Sequence, residues 1–314
     1  MGMFNLQTKV LMNDFLRVNG IYKKYNDKVV LDNICLSVNK GEIFGIIGSD
    51  GAGKTTLFQI LNTLTTPDAG QVFIRNEEIR SNICNTRKLI GYMPGKFSLY
   101  SDMTVQENIT FIANIFNIDE DEYCHIIEDI YNQLKPFKNR KARNLSGGMK
   151  QKLALCCALI HEPNILLLDE PTTGVDPVSR KEFWRLLDKI KSNGVTVIVA
   201  TPYMDEALRC DRIALIKNGI ILKVETPENL INQYRGTLLS ITGGNVATLL
   251  LDIREHPFVM TCFAFGCEVH ATSYHEDFTT KRLGEFLKNR GHKNLTINKI
   301  QAGVEDCYIQ LVKQ

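Results

Sequence analysis

Gly48-Ser49-Asp50-Gly51-Ala52-Gly53-Lys54-Thr55, followed by Thr56, is the densest run of chemically useful residues in the chain. Its glycines let backbone N–H groups turn inward. A helix beginning near the lysine adds a partial positive charge, so the run suits a polyphosphate held by oriented dipoles. Lys54 is spaced to reach β- and γ-phosphates, and the Thr55 hydroxyl to ligate Mg²⁺. A second set is the apolar run 165–168 ending in Asp169-Glu170. A buried strand there delivers two carboxylates beside the phosphate loop. Asp169 suits the Mg²⁺ shell, and Glu170 suits orienting or deprotonating an attacking water. Third comes Leu145-Ser146-Gly147-Gly148-Met149-Lys150-Gln151 ahead of an apolar helix, with Ser146 lying 23 residues before Asp169.

Residues 15–22 and 29–38 read as strands around an Asn26-Asp27 turn, and 42–47 as a buried strand running into the glycine-rich loop. Helical periodicity follows at Leu57, Ile60, Leu61 and Leu64, stopping at Pro67. From 93 to 163 the pattern is mainly helical, with a Thr104-x-x-Glu107 capping box before an apolar face at Ile109, Ile112, Ala113 and Phe116. Strands return at 165–168, 195–200 and 213–216, with a helix at 181–191. Such alternation predicts an α/β fold with a largely parallel, two-sided sheet and a helical insert. After Thr226-Pro227-Glu228 the order reads βαββαβ, the ferredoxin-like α+β order, with a last short helix near 304–312.

These motifs, in this order, make residues 15–225 resemble the ATP-binding-cassette (ABC) ATPases, whose signature is the LSGG run at 145–148. The resemblance implies a P-loop NTPase (RecA-like) nucleotide-binding domain over 15–225, with a helical insert at about 96–163. A 1–14 preamble precedes it and a C-terminal accessory domain, 226–314, follows. It implies ATP and Mg²⁺ as ligands, with Tyr25 stacking on the adenine and Asp176, in Gly174-Val175-Asp176-Pro177, communicating across a nucleotide dimer. Ser146, Gly147 and Gly148 are expected to touch the γ-phosphate bound to the other protomer. One phosphate loop and one signature per chain therefore predict a homodimer or a pair with a similar subunit.

Two positions depart from the family pattern. Gly95 stands where a Gln is usual, and Pro202 where a His normally contacts the γ-phosphate; proline has no side-chain donor or acceptor. Two readings follow: an active ATPase, slow or partner-dependent, or an ATP-clamped regulatory subunit with little turnover. The wording of 93–100, 201–207 and 210–212 is similar to the daunorubicin-exporter-like branch, in which subunits of bacterial multidrug exporters work with six-helix permeases and a membrane-fusion protein. The resemblance implies a peripheral position on the inner face of the cell membrane. It also implies export of drug-like or hydrophobic compounds through a separate permease, and no nucleic-acid partner. A soluble, non-transport ABC ATPase is the remaining alternative, though such proteins usually carry two cassettes or zinc modules in one chain.

Lys plus Arg total 37 against 35 Asp plus Glu, and nine of each lie after residue 225, so neither part has a bulk basic surface for nucleic acid. Apolar runs are strand-sized, far short of the ~18–20 residues of a spanning helix. Residues 1–10 lack the pattern of a secretory signal, and Leu6 stands where a myristoylation site requires Ser or Thr. Nine cysteines without C-x-x-C spacing predict reduced thiols. His270 and His275, beside Glu276-Asp277 and after Cys262 and Cys267, fit no familiar zinc spacing and are expected as solvated strand and loop residues. His161 reads as a helix-end residue placed where positive charge is favoured. The family resemblance implies that Phe97 and Tyr100 form an exposed patch for a permease helix; core packing is the alternative.

Overall fold

The computed structural model describes residues 14–313, so the 1–14 preamble lies outside them except for Asp14. Two compact units divide at Pro227/Glu228. The first opens with β1 (Asp14–Tyr25), β2 (Lys28–Asn39) and β3 (Ile43–Ile47), then α1 (Lys54–Leu61), β4 (Ala69–Ile74), β5 (Glu77–Glu78), α2 (Ile83–Leu89) and β6 (Ile90–Met93). The insert supplies α3 (Val105–Phe116), α4 (Glu120–Ile126), α5 (Glu128–Leu134) and α6 (Gly147–Leu159). The unit closes with β7 (Ile165–Asp169), α7 (Pro177–Ser192), β8 (Thr196–Thr201), β9 (Arg212–Lys217) and β10 (Ile220–Glu225).

The central sheet has the order β10-β9-β3-β8-β7-β6, parallel except for the β9–β10 hairpin. β3, β7 and β8 are buried along their whole length, as expected of strands covered on both faces. Beside it lies a separate antiparallel sheet, β2-β1-β4-β5, and the two share one apolar core through Ile21, Leu31, Phe44, Leu57 and Ile198. The sequence pattern revealed neither β4 and β5 of this second sheet nor β6 and β10. Helix α1 is shorter than its periodicity suggests. Thr63 adopts the left-handed region (φ 58°), the chain leaves the helix, and Leu64 ends exposed instead of on the apolar face. In the insert, the expected capping box forms reciprocally between Thr104 and Glu107 and starts α3.

The second unit opens with α8 (Pro227–Asn232) and runs β11 (Thr237–Thr242), α9 (Val246–Arg254), β12 (Thr261–Phe265), β13 (Glu268–Ser273), α10 (Thr280–Asn289), β14 (Thr296–Lys299) and α11 (Val304–Lys313). Its sheet order is β12-β13-β11-β14, antiparallel throughout, which is the ferredoxin-like arrangement of βαββαβ. Leu249, Ile253, Leu283 and Leu287 of its helices pack on Leu239, Ile241 and Val269 of the sheet. His270 is a packed residue here rather than a solvated one: Nδ1 lies 2.8 Å from Asp306 Oδ1 of α11. His275 lies stacked on Phe258, and Cys262 is buried in β12.

Candidate nucleotide site

The buried strand β3 leads into the loop at 48–53. A β-carbon on Gly48 would lie 2.3 Å from the Ile216 carbonyl oxygen, so only glycine lets the loop leave the sheet there. Gly53 turns the chain into α1 with φ 102°, and its Cα faces Val30 and Leu31 of β2 closely enough that a β-carbon would meet both at 2.8 Å. Within this cradle the buried Lys54 ammonium donates to the Gly48 and Ser49 carbonyls at 2.8 and 3.1 Å. It also lies 3.6 Å from Glu170 Oε1 and 3.9 Å from Asp50 Oδ1. Ala52 is buried, whereas Gly51 and Thr55 are exposed at the mouth and Thr56 is half-buried on the first turn.

The adjacent strand β7 ends at Asp169. Burial raises its carboxyl above the usual range, opposed by the hydrogen bond with Thr55, while the neighbouring Glu170 charge raises it further. Its Oδ1 is buried with no hydrogen-bond partner among the described residues. A hydroxyl and an orphaned carboxylate oxygen side by side are hard oxygen donors that suit Mg²⁺. Next, Glu170 turns sharply, with φ 49°, a left-handed conformation costly for a side chain of this type. Its amide donates to the Ala200 carbonyl at 2.8 Å, which holds the turn against β8 and aims the carboxylate at Lys54. Thus the structure brings Lys54, Thr55, Asp169 and Glu170 into one cluster.

A separate cluster forms around the signature. Ser146 caps α6, its Oγ accepting from the Met149 amide at 3.4 Å. β-Carbons on Gly147 and Gly148 would meet the Gly174 carbonyl at 3.0 Å and the Ser179 side chain at 2.8 Å. Asp176 caps α7, accepting from Val178 and Ser179 amides at 3.1 and 3.0 Å. The signature and the Asp176 loop therefore share a surface. Among the described residues no hydrogen bond or ion pair joins Ser146 to the phosphate loop. Tyr25 lies exposed at the end of the β1–β2 hairpin, whose second strand touches the loop through Val30. The Lys23 ammonium sits 5.3 Å from its ring centre.

His161 corrects the expectation of a charged helix end. Its ring stacks on Phe116 with centres 4.1 Å apart, Nε2 faces the Ile90 carbonyl at 3.1 Å, and burial lowers its pKa, favouring the neutral ring. Tyr100 is half exposed and meets Phe111 edge-on at 5.0 Å; Phe97 is exposed under Lys150. Tyr100, with Leu64, Met93, Ile115 and His161, lines a groove. Sequence reasoning missed Glu206, which is buried beside the site and gathers three donors. Its partners lie 34, 26 and 22 residues away, beyond any local pattern.

Fold and site together define a P-loop nucleotide-binding cassette with a helical insert. The family model for the ABC transporter matches residues 31–173. The Nod factor export ATP-binding protein I of Rhizobium sp. (strain N33) is 32% identical over 93% of this chain and 95% of its own length. The Probable multidrug ABC transporter ATP-binding protein YbhF of Escherichia coli (strain K12) is 39% identical over 69% of this chain, a match spanning 38% of that longer protein. Among solved structures, cbiO1 of Clostridium perfringens, part of the ABC transporter complex cbiONQ, superposes with a TM-score of 0.64 at 29% identity. That alignment covers 70% of this chain and 92% of cbiO1. The ATP-binding cassette MJ0796, seen as a post-hydrolysis dimer bound to ADP and Pi, gives 0.61 at 28% identity, covering 67% of this chain and 98% of its own. The chain belongs to the ATP-binding proteins of ABC transporters, a family of ATPases. No helix among the described residues is long and apolar enough to cross a membrane.

Proposed function

We propose that this chain hydrolyses ATP to drive export through a separate membrane permease. Two copies, or one copy with a similar subunit, would close on two ATP molecules. The observation that carries this reading is the Lys54–Glu170 approach of 3.6 Å at the mouth of the glycine cradle. It puts a cation for the terminal phosphates and a carboxylate for the attacking water in one place. Amides of the 48–53 loop and the start of α1 bind the polyphosphate, Lys54 neutralises its outer oxygens, and Tyr25 covers the base. Ser146, Gly147 and Gly148 approach the γ-phosphate held by the partner protomer, and the Asp176 loop beside them carries closure from one site to the other. Glu170 orients the water and accepts its proton as the water oxygen bonds to the γ-phosphorus and the bond to the β–γ bridging oxygen breaks. Thr55 and Asp169 would hold Mg²⁺, which when bound neutralises phosphate charge.

The apolar groove lined by Tyr100, Phe111 and Ile115 supports a peripheral place on the inner membrane face, since a permease helix with an apolar face would cover it. Relatives named for multidrug and Nod factor export support the outward direction, and the first of these names supports a drug-like or hydrophobic cargo. Gly95 and Pro202 favour a second reading, an ATP-binding regulatory subunit with little turnover. ATPase measurement on the full chain assembled with its permease separates the two. Turnover that Glu170→Gln abolishes, with ATP-dependent dimers that the same variant retains, supports the first. Equal turnover in wild type and variant overturns it.

A further inference from the structure

Glu206 occupies the short 3₁₀ segment Met204–Arg209 that follows β8 and is only 2% exposed. A single oxygen, Oε1, accepts from Thr172 Oγ1 at 2.5 Å, Arg180 Nε at 2.7 Å and Trp184 Nε1 at 3.0 Å. The second, Oε2, is buried without a partner among the described residues. The backbone is fixed as well, because the Cys210 thiol lies 3.7 Å from the Glu206 carbonyl. Arg180 is gripped from the same segment twice more, by Asp205 at 3.0 Å and by the Tyr203 ring at 4.5 Å. A buried carboxylate is costly to desolvate and is retained only where charged and neutral donors converge on it.

The donors mark what the carboxylate joins. Thr172 belongs to the turn that starts at Glu170, where the Thr173 amide donates to the Glu170 carbonyl and the Val175 amide to the Thr172 carbonyl. Arg180 and Trp184 stand on α7, directly after the Asp176 cap, and the Arg180 amide donates to the Asp176 carbonyl. Glu206 thus clamps both ends of the segment 170–180. Pro202, four residues earlier, has no side-chain polar atom to offer a triphosphate. The connection from the segment after β8 to the catalytic turn therefore runs through Glu206.

We propose that Glu206 is a positioning residue for ATP hydrolysis, holding the strained Glu170 turn and the N-terminal end of α7 in one register. The Glu170 carboxylate and the Asp176 loop then keep a fixed relation while a dimer closes. This rests on the reading of Glu170 as the base. Among the described residues no hydrogen bond or ion pair joins Glu206 to the phosphate loop or the signature, so its removal should spare ATP binding and dimer formation and slow the chemical step.

The test uses the full chain, comparing Glu206→Gln, Glu206→Asp, Thr172→Val and Glu170→Gln, with rates normalised to folded protein. Glu206→Gln should lower kcat about tenfold with KM for ATP changed less than about twofold, the signature of lost positioning rather than lost binding. Thr172→Val should give a similar fall, and the double variant should be no slower than the worse single one, because one weakens and the other removes the same link. Trp184, the one tryptophan, should change emission in Glu206→Gln, reporting the replacement of its charged acceptor by a neutral amide oxygen. Unchanged kcat per folded molecule in Glu206→Gln, or effects of the two substitutions that multiply, would overturn the proposal while leaving Glu170 untouched. Full turnover in Glu170→Gln would overturn the base assignment, and this inference with it. Should Glu206→Gln fail to fold, Thr172→Val decides: an unchanged kcat overturns the proposal, and a fall at constant KM supports it.

Discussion

The Gly95 backbone packs directly on Asp169: a β-carbon at 95 would stand 3.2 Å from the Asp169 carbonyl oxygen and 3.8 Å from its carboxyl carbon. Position 95 is thus fitted tightly against the end of β7, whose neighbours in the sheet are β8 and β6. Any side chain at 95 must push Asp169 or bend the loop leaving β6. Gly95→Ala should therefore destabilise the first unit by about 1 kcal/mol or more, the scale of modest overpacking. Gly95→Gln should lower ATP turnover instead of raising it. Thermal unfolding and steady-state ATPase rates check both; a faster Gly95→Gln enzyme would show that the loop yields freely.

Lys54 is 3% exposed and is satisfied by two loop carbonyls and two acidic neighbours. Replacing it with Ala removes the only side-chain cation in that cluster among the described residues and leaves Glu170 facing the phosphates without compensation. A charged hydrogen bond contributes about 1.5–3 kcal/mol, so ATP affinity should fall by roughly ten- to a hundredfold. Titration with a fluorescent ATP analogue measures this, and unchanged affinity would remove Lys54 from the binding role.

Much of this site was legible because its determinants are local. The glycine pattern, the lysine and the following helix occupy consecutive residues, and the three strands that carry the site are continuous apolar runs. β4 and β5 escaped notice because their exposed faces are polar and glycine-bearing, as in Ala69-Gly70-Gln71 and Glu77-Glu78. The β9–β10 hairpin turns at Asn218-Gly219 with both residues at positive φ, a signal present in the sequence but outweighed by the parallel reading. Glu206 gave no such signal. Its meaning comes from donors on two other segments, a tertiary relationship that neither spacing nor periodicity encodes. The same holds for His161, whose charge preference is decided by its burial, with Phe116 of α3 stacked on its ring.

In the second unit, His270 offers a pH test. Burial opposes its charged form, but the hydrogen bond and charge of Asp306, with the Glu268 carboxylate, outweigh burial and raise its pKa above 6.5. These acids come from α11 and from β13 itself, while Phe265 lies against the ring. A raised folded pKa contributes stability that is fully present below pH 6.5 and is lost as pH climbs through the folded value. NMR titration should place the His270 midpoint above 6.5. His270→Gln should flatten the decline in stability above that pH.

Asp176 gives a converse case with a functional readout. Its carboxylate caps α7 through the Ser179 and Val178 amides, and those hydrogen bonds lower its pKa below 3.8. A depressed pKa means the cap is complete above pH 3.8 and is lost as pH falls through the lower folded value. Near neutral pH the cap is therefore always in place, so substitution, not acid, must probe it. Asp176→Asn keeps an oxygen acceptor and should retain both helix and turnover. Asp176→Ala removes the acceptor beside the surface that Gly147 and Gly148 share with Gly174 and Ser179. Frayed amides at 178 and 179 would loosen that contact, so hydrogen exchange there should quicken and ATP-dependent dimerisation weaken. ATP binding by the monomer should stay unchanged, because the 48–55 loop is not touched. Dimerisation measured by light scattering decides the matter: wild-type behaviour in Asp176→Ala would leave Asp176 a helix cap and nothing more.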